Sequence, residues 1–290
     1  MLPIREIAPA KINLTLMVRG RRPDGYHELE SLVTFADVHD VVTLEDRPPG
    51  EIALSGPFSR SLDGENLLTR TFKALREIEP RLHLPAAHLE KNLPVAAGLG
   101  GGSADAAALL RAVQRANPGI AQALPWHAIA ARLGADVPVC LDGMPALMWG
   151  IGEKILSVQR LPAAHAVLAN PGVPLSTAEV FKALDADAAV QEEKAPHVPL
   201  LTSLDELAAY MRALDNDLEK PAKGLRPVIA DAKAALAAQP GCLVAAMAGS
   251  GPTCFAIFAD QAQAEQATAR IARTHAEWWV KATVLAGAPS

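Results

Sequence analysis

The sequence predicts an α+β protein of two domains meeting near residue 160. Three observations lead there. Short strand-like segments alternate with amphipathic helical ones along the chain. The elements after Leu161 run in the order βαββαβ, the split arrangement of ferredoxin-like domains. At 290 residues the chain is long enough for one large domain or two of ordinary size.

The first strand falls at Ala10–Leu16, where Ile12, Leu14 and Leu16 alternate with Lys11, Asn13 and Thr15, the period of a half-buried strand. Arg22-Pro23-Asp24-Gly25 is a turn. Phe35–Glu45 and Glu51–Leu54 read as a hairpin broken by Pro48, Pro49 and Gly50. Leu68, Phe72, Leu75 and Ile78 place a helix over Asn66–Ile78. A short strand at His88–Lys91 runs into clustered glycines, and Ser103 is expected to cap a helix over Ala104–Ala116, which Asn117-Pro118-Gly119 ends. Trp126–Leu133 is the next helix, and after Gly134–Pro138 short apolar segments read as strands.

In the second half, His165–Ala169, Leu243–Ala248, Thr253–Phe258 and Trp278–Leu285 read as strands. Val228–Ala238 and Asp260–His275 read as helices, with Ser203–Leu214 an inserted helix. Asp185–Pro199 lacks periodicity and reads as a loop.

Composition excludes several classes of function. Half the residues are hydrophobic and 20% charged, which rules out global disorder. A net charge of −5 argues against a general nucleic-acid or anionic-membrane binder, and only two tyrosines and six phenylalanines are few for a base-stacking platform. Cys140, Cys242 and Cys254 lie far apart with no C-x-x-C, so neither a metal site nor a disulfide framework is expected. Arg5, Glu6 and Lys11 interrupt the N-terminal segment where a signal peptide needs an apolar core. No uninterrupted apolar run reaches the roughly 18 residues of a membrane span. A soluble, cytoplasmic protein is expected; the oligomeric state is not read from the sequence.

The segment that carries most chemistry is Pro94–Asp105. Glycines ahead of a helix let the backbone approach a phosphate, and the helix N-terminus adds N–H donors and a positive dipole. Two better-known phosphate loops are disfavoured. No Lys follows the glycines as a Walker loop needs, and Ser103 stands where a dinucleotide fingerprint has its third glycine. The remaining acidic residues form no evident cluster.

Three separated segments together resemble the GHMP kinase superfamily: Ala8-Pro9-Ala10-Lys11-Ile12-Asn13-Leu14, Pro94–Asp105, and Ala248-Gly249-Ser250-Gly251-Pro252-Thr253. Pro23-Asp24-Gly25-Tyr26-His27-Glu28-Leu29 and Gly134-Ala135-Asp136-Val137-Pro138 resemble the branch whose acceptor is a cytidine diphosphate derivative of methylerythritol. The resemblance implies an N-terminal ribosomal-protein-S5-like, ATP-binding domain over 1–160, a C-terminal ferredoxin-like domain over 161–290, and an active site in the cleft between them. It implies ATP and Mg²⁺, with no ligand set readable for the metal.

The implied ATP-binding residues are Pro94, Val95, Ala96, Ala97, Gly98, Leu99, Gly100, Gly101, Gly102, Ser103 and Ala104. Where relatives often carry a second Ser, this chain has Ala104 and lacks that hydroxyl. Asp136 is the implied base and Lys11 the group that orients it and steadies developing charge. Tyr26 and Phe181 are implied to sandwich the cytosine, with His27 on its polar edge and Asn13, Thr177 and Gly249 as further substrate contacts. Asn216-Asp217 belongs to the resemblance without a physical role. The competing readings are a related kinase for mevalonate, homoserine or a sugar, a non-catalytic nucleotide-binding module of the same fold, and a dinucleotide-dependent oxidoreductase.

Overall fold

The computed structural model describes residues 3–45, 51–62, 66–158, 161–184, 186 and 196–286. In chain order the elements are β1 (Ile4–Asn13), β2 (Met17–Arg21), β3 (His27–Glu45), β4 (Ile52–Ser55), α1 (Leu67–Ile78), β5 (Ala86–Glu90), α2 (Gly101–Ala116), α3 (Pro118–Ala121), α4 (Trp126–Leu133), α5 (Val137–Asp142), β6 (Ala146–Gly150) and β7 (Lys154–Ser157). There follow β8 (Ala164–Asn170), α6 (Thr177–Ala183), α7 (Leu204–Leu214), α8 (Glu219–Leu225), α9 (Val228–Ala237), β9 (Cys242–Met247), β10 (Cys254–Phe258), α10 (Gln261–Thr274) and β11 (Trp279–Ala286).

Two compact units emerge. The first gathers the described residues within Met1–Ala10, Val38–Val95 and Gly100–Gly143, the second those within Lys11–Asp37, Ala96–Leu99 and Met144–Ser290. They are not consecutive halves of the chain, because residues 11–37 group with the C-terminal elements.

In the first unit β5 lies between β4, which it pairs in parallel, and the Val41–Glu45 end of β3, which it pairs antiparallel. The expected hairpin of β3 with β4 is therefore not formed. The apolar residues Ala86, Ala87 and Leu89 of β5 take the buried place between them. The expected break at Pro48–Gly50 lies outside the described residues. Asn66 caps α1, its side chain accepting from Thr69 N at 3.0 Å. After Gly134, a six-residue helix, α5, precedes β6 and β7 where only strands are expected; Pro138 in its first turn suits a helix start.

In the second unit the order β11-β8-β10-β9 is antiparallel throughout, the arrangement that a βαββαβ chain produces. Helices α9 and α10 pack on this sheet. Their Ile229, Leu236, Ala267 and Ile271 share a core with Val167, Ala169, Ala256 and Phe258. β11 also pairs with β3, Leu285 opposite Ala36 and Ala286 opposite Phe35. Of the expected 185–199 loop, residue 186 and residues 196–199 form no helix or strand, and the rest lies outside the described residues. Cys140 and Cys254 are buried thiols and Cys242 is half-buried.

Candidate active site

The first strand does not present one open polar face: Lys11, Ile12 and Asn13 at the end of β1, and Leu14 and Thr15 just beyond it, are all buried. The polar side is covered by loop backbone. Lys11 N donates to Leu99 O at 2.9 Å, and Thr253 N donates to Ala97 O at 3.3 Å. Gly98 explains how the loop comes so close. It has φ +74°, and a Cβ there would stand 2.3 Å from Ala248 O and 2.8 Å from Gly251 N. Gly249 meets it from the other side, its missing Cβ 2.8 Å from Gly98 O and 3.2 Å from Asn13 Oδ1. The glycine-rich loop and the β9–β10 turn thus pack backbone to backbone beside Asn13.

A hydrogen-bonded chain orients Lys11 and Asn13 at the end of β1. Lys11 Nζ donates to Asn13 Oδ1 at 3.3 Å, Asn13 Nδ2 donates to Ser31 Oγ at 2.7 Å, and Ser31 Oγ donates to Thr15 O at 2.6 Å. Thr177 Oγ1 and Ser250 Oγ lie 2.8 Å apart, which ties the start of α6 to the same turn. Asn216 now has a role. Its Nδ2 donates to Met247 O at 2.9 Å and to Gly249 O at 2.8 Å, holding the turn where β9 runs into it. Asp217 Oδ2 accepts from Val18 N at 2.7 Å.

A cavity of about 720 Å³ opens beside Tyr26, His27, Phe181 and Lys182 in the second unit. The Asp24-Gly25 turn shapes one wall. Asp24 Oδ1 accepts from Tyr26 N at 3.1 Å, Gly25 takes φ +90°, and Tyr26 is left 61% exposed. The ring found against Phe181 is that of His27, with centroids 4.9 Å apart and an interplanar angle of 29°. Tyr26 lines the same cavity without stacking on either. Burial, with the positive charge of Arg21 adding to it, lowers the His27 pKa and favours a neutral imidazole able to donate and to accept.

In the first unit, Gly100 caps α2 with φ +61°, so the helix begins at Gly101 and Ser103 stands inside its first turn instead of capping it. The first helical bond is Ala104 N to Gly100 O at 2.9 Å, which leaves the amides of Gly101, Gly102 and Ser103 ahead of the ladder. Val95 is exposed and Ala97 and Leu99 are buried in the loop before it, while Ala96 holds φ +51°. That left-handed conformation costs a residue with a Cβ roughly 1 kcal/mol. Asp136 precedes α5, half-buried, and its side chain does not cap that helix.

The acidic residues are not all isolated. Asp40 and Asp105 converge on buried Lys91, at 2.5 and 2.7 Å. Among the described residues no group of three His, Cys, Asp or Glu side chains forms a metal cage. No helix of the described residues is long and apolar enough to cross a membrane.

The βαββαβ unit, the glycine loop seated on a Gly-Ser-Gly turn and the helix that follows define the GHMP kinases, a class of ATP-dependent small-molecule kinases. Family models described as GHMP kinases N terminal domain and GHMP kinases C terminal match residues 66–144 and 198–277. The chain is 47% identical over 293 residues to 4-diphosphocytidyl-2-C-methyl-D-erythritol kinase of Parvibaculum lavamentivorans, covering 98% of this chain and 99% of that one. It is 49% identical over 286 residues to the kinase of the same name from Methylorubrum extorquens, covering 96% and 98%. A crystal structure of 4-(cytidine 5′-diphospho)-2C-methyl-D-erythritol kinase superposes with a TM-score of 0.76 at 33% identity, covering 98% of this chain and 100% of that one. Homoserine kinase from Cytophaga hutchinsonii shares the fold at 18% identity and a TM-score of 0.68, with 99% and 96% covered. The chain belongs to the 4-diphosphocytidyl-2-C-methyl-D-erythritol kinase family and is an ATP-dependent kinase.

Proposed function

We propose that the chain transfers the γ-phosphoryl group of ATP to the 2-hydroxyl of 4-diphosphocytidyl-2-C-methyl-D-erythritol, a step of the non-mevalonate isoprenoid precursor pathway in the cytoplasm. The observation that carries the substrate is the cavity lined by Tyr26, His27 and Phe181, an aromatic-edged recess with room for a base and the groups attached to it, in a chain with few aromatic rings. A kinase for mevalonate, homoserine or a sugar has no base to place there.

The chemistry follows from charge. Asp136 takes the proton of the 2-hydroxyl as that oxygen bonds to the γ-phosphorus, and the bond from phosphorus to the bridging oxygen of ADP breaks. Lys11 supplies the fixed positive charge that orients the base and stabilises the transferring group. The hydrogen bond of Lys11 to Asn13, and of Asn13 to Ser31, holds that ammonium in place without a flexible search. In this reading residues 1–160 carry the ATP-binding part, with phosphate on the backbone of Pro94–Ala104, and residues 161–290 form the ferredoxin-like part. Mg²⁺ bound together with ATP would neutralise part of the phosphate charge, with phosphate oxygens and water expected to supply most of its ligands. The cytosine stacks on Phe181 when His27 swings from that face to the polar edge of the base, and Tyr26 closes over it. Thr177 and Gly249 border the acceptor.

The test is ADP release with the cytidylyl substrate, with mevalonate, homoserine and galactose as controls. Turnover is expected with the first alone. Asp136→Asn and Lys11→Met should each lower kcat at least 100-fold with substrate binding retained. Near-normal turnover in either removes that residue from the chemistry, and turnover only with a control substrate refutes the assignment.

A further inference from the structure

Directly under the first turn of α2 the fold encloses three charged side chains that phosphoryl transfer does not use. Lys91 Nζ donates to Asp40 Oδ2 at 2.5 Å and to Asp105 Oδ2 at 2.7 Å, and no side chain of the three is more than 3% exposed. The helix starts on top of them: a Cβ on Gly101 would lie 3.1 Å from Lys91 Nζ and 3.7 Å from Asp40 Oδ2.

The two carboxylates are not equivalent. Asp40 also accepts with Oδ1 from the backbone N–H groups of Asn92 and Leu93, at 2.5 and 2.8 Å. Asp105 Oδ1 is buried and has no hydrogen-bond partner among the described residues. One ammonium does not balance two carboxylates, so the fully ionised cluster carries a net negative charge where water does not reach. Protonation of one carboxyl relieves that charge, and it falls on the carboxyl with fewer donors.

The charged groups facing Asp105 are Lys91, at the end of β5, and Asp40, on β3. Burial pushes the Asp105 carboxyl up to about 7, with Lys91 pulling it down and Asp40 pushing it further up. Burial works against the Lys91 ammonium, yet the carboxylates of Asp105 and Asp40 hold its pKa above the usual value. Asp105 is thus the member of the cluster that changes charge near neutrality.

We propose that Asp105 takes up a proton from solvent when the ATP phosphates load onto the first turn of α2, so that ATP binding by this chain is proton-linked. The O–H forms at the unpartnered Oδ1, and the Lys91 contact to Oδ2 is kept. Phosphate above Gly101 adds negative charge over a cluster that is already anionic, which disfavours the ionised carboxylate. The inference rests on the reading that the α2 amides hold phosphate.

Calorimetry of Mg·ATP binding at pH 7, in two buffers of different ionisation enthalpy, counts the protons. The full-length protein should take up a fraction of a proton more per ATP than its Asp105→Asn variant, on the order of one half. Its affinity should also weaken between pH 6 and pH 9 by roughly tenfold more than that of the variant, for each tenfold by which the phosphates strengthen proton binding at Asp105. Equal proton counts overturn the inference. Should Asp105→Asn not fold, the ¹³C signal of the Asp105 carboxyl in the unaltered protein serves instead. Its titration midpoint rises on adding Mg·ATP, and an unmoved midpoint overturns the inference. ATP binding without a proton difference refutes the inference alone; failure of the unaltered chain to bind ATP refutes the phosphate-loop reading and the inference with it.

Discussion

Tyr26 and Phe181 line one cavity but stand differently in the fold, and that difference separates binding from stability. Tyr26 is exposed at the turn, whereas Phe181 packs against the core of the second unit. Tyr26→Ala should raise KM for the cytidylyl substrate roughly tenfold, within the range of one lost stacking contact, with the melting temperature unchanged. Phe181→Ala should raise KM and lower the melting temperature together, because apolar packing is lost as well. Steady-state kinetics beside thermal unfolding checks both, and a Tyr26→Ala enzyme with unaltered KM removes the base contact.

Asp105 makes a second residue-level forecast, of stability against pH. Its folded-state pKa of about 7 lies above its ordinary value, so the contribution of Asp105 to stability is complete below about pH 4 and is lost as pH rises towards 7. Every tenfold difference in proton affinity between the folded and unfolded chain corresponds to about 1.4 kcal/mol of that loss. Asp105→Asn should therefore gain in melting temperature relative to the unaltered protein between pH 5 and pH 8. Parallel curves in that window contradict the assignment.

Among the elements, the glycine-rich loop and the β9–β10 turn are one packed object. Gly98→Ala forces a Cβ to 2.3 Å from Ala248 O, backbone that cannot rotate away, and φ is positive there as well. A loss of about 2 kcal/mol or more is expected in denaturant unfolding. Gly102→Ala meets nothing within 4 Å and lies in the helix, so its stability should be unchanged or raised by up to about 1 kcal/mol. Equal effects of the two changes would show that the loop is not held by the turn.

Much of this was legible beforehand because it is local. Helix periodicity placed α1, α4 and α10 within a residue or two, and clustered glycines marked both loop and turn. What escaped depends on partners distant in sequence. Asn216 reaches carbonyls 31 and 33 positions away, and Lys91 meets Asp40 across 51 positions and Asp105 across 14. Side chains so spaced leave no period to detect. The β3–β4 hairpin does not form for a related reason: adjacency along the chain favours a hairpin, but both strands pair with β5, whose burial depends on neighbours distant in sequence. The buried polar face of β1 escaped too, because the backbone covering it comes from residues near 98 and 249.

For the whole molecule, the pairing of β11 with both β8 and β3 joins residues near the two ends of the chain. A chain ending at Thr274 loses β11 and opens edges on β8 and β3. It should expose apolar surface to a hydrophobic dye and aggregate, in contrast to the full chain. A soluble, dye-negative truncation would show that β11 is dispensable.

The same pairing bears on how the protein is made. The residues of the first unit all lie before Met144, so its elements are complete while the later strands of the second unit are still to be made. The second unit waits: Lys11–Asp37 is made well before β11, the strand that pairs with both β3 and β8 and follows every other strand of the sheet. For most of synthesis those early residues have no final partner, and they are where a nascent-chain chaperone has most to protect.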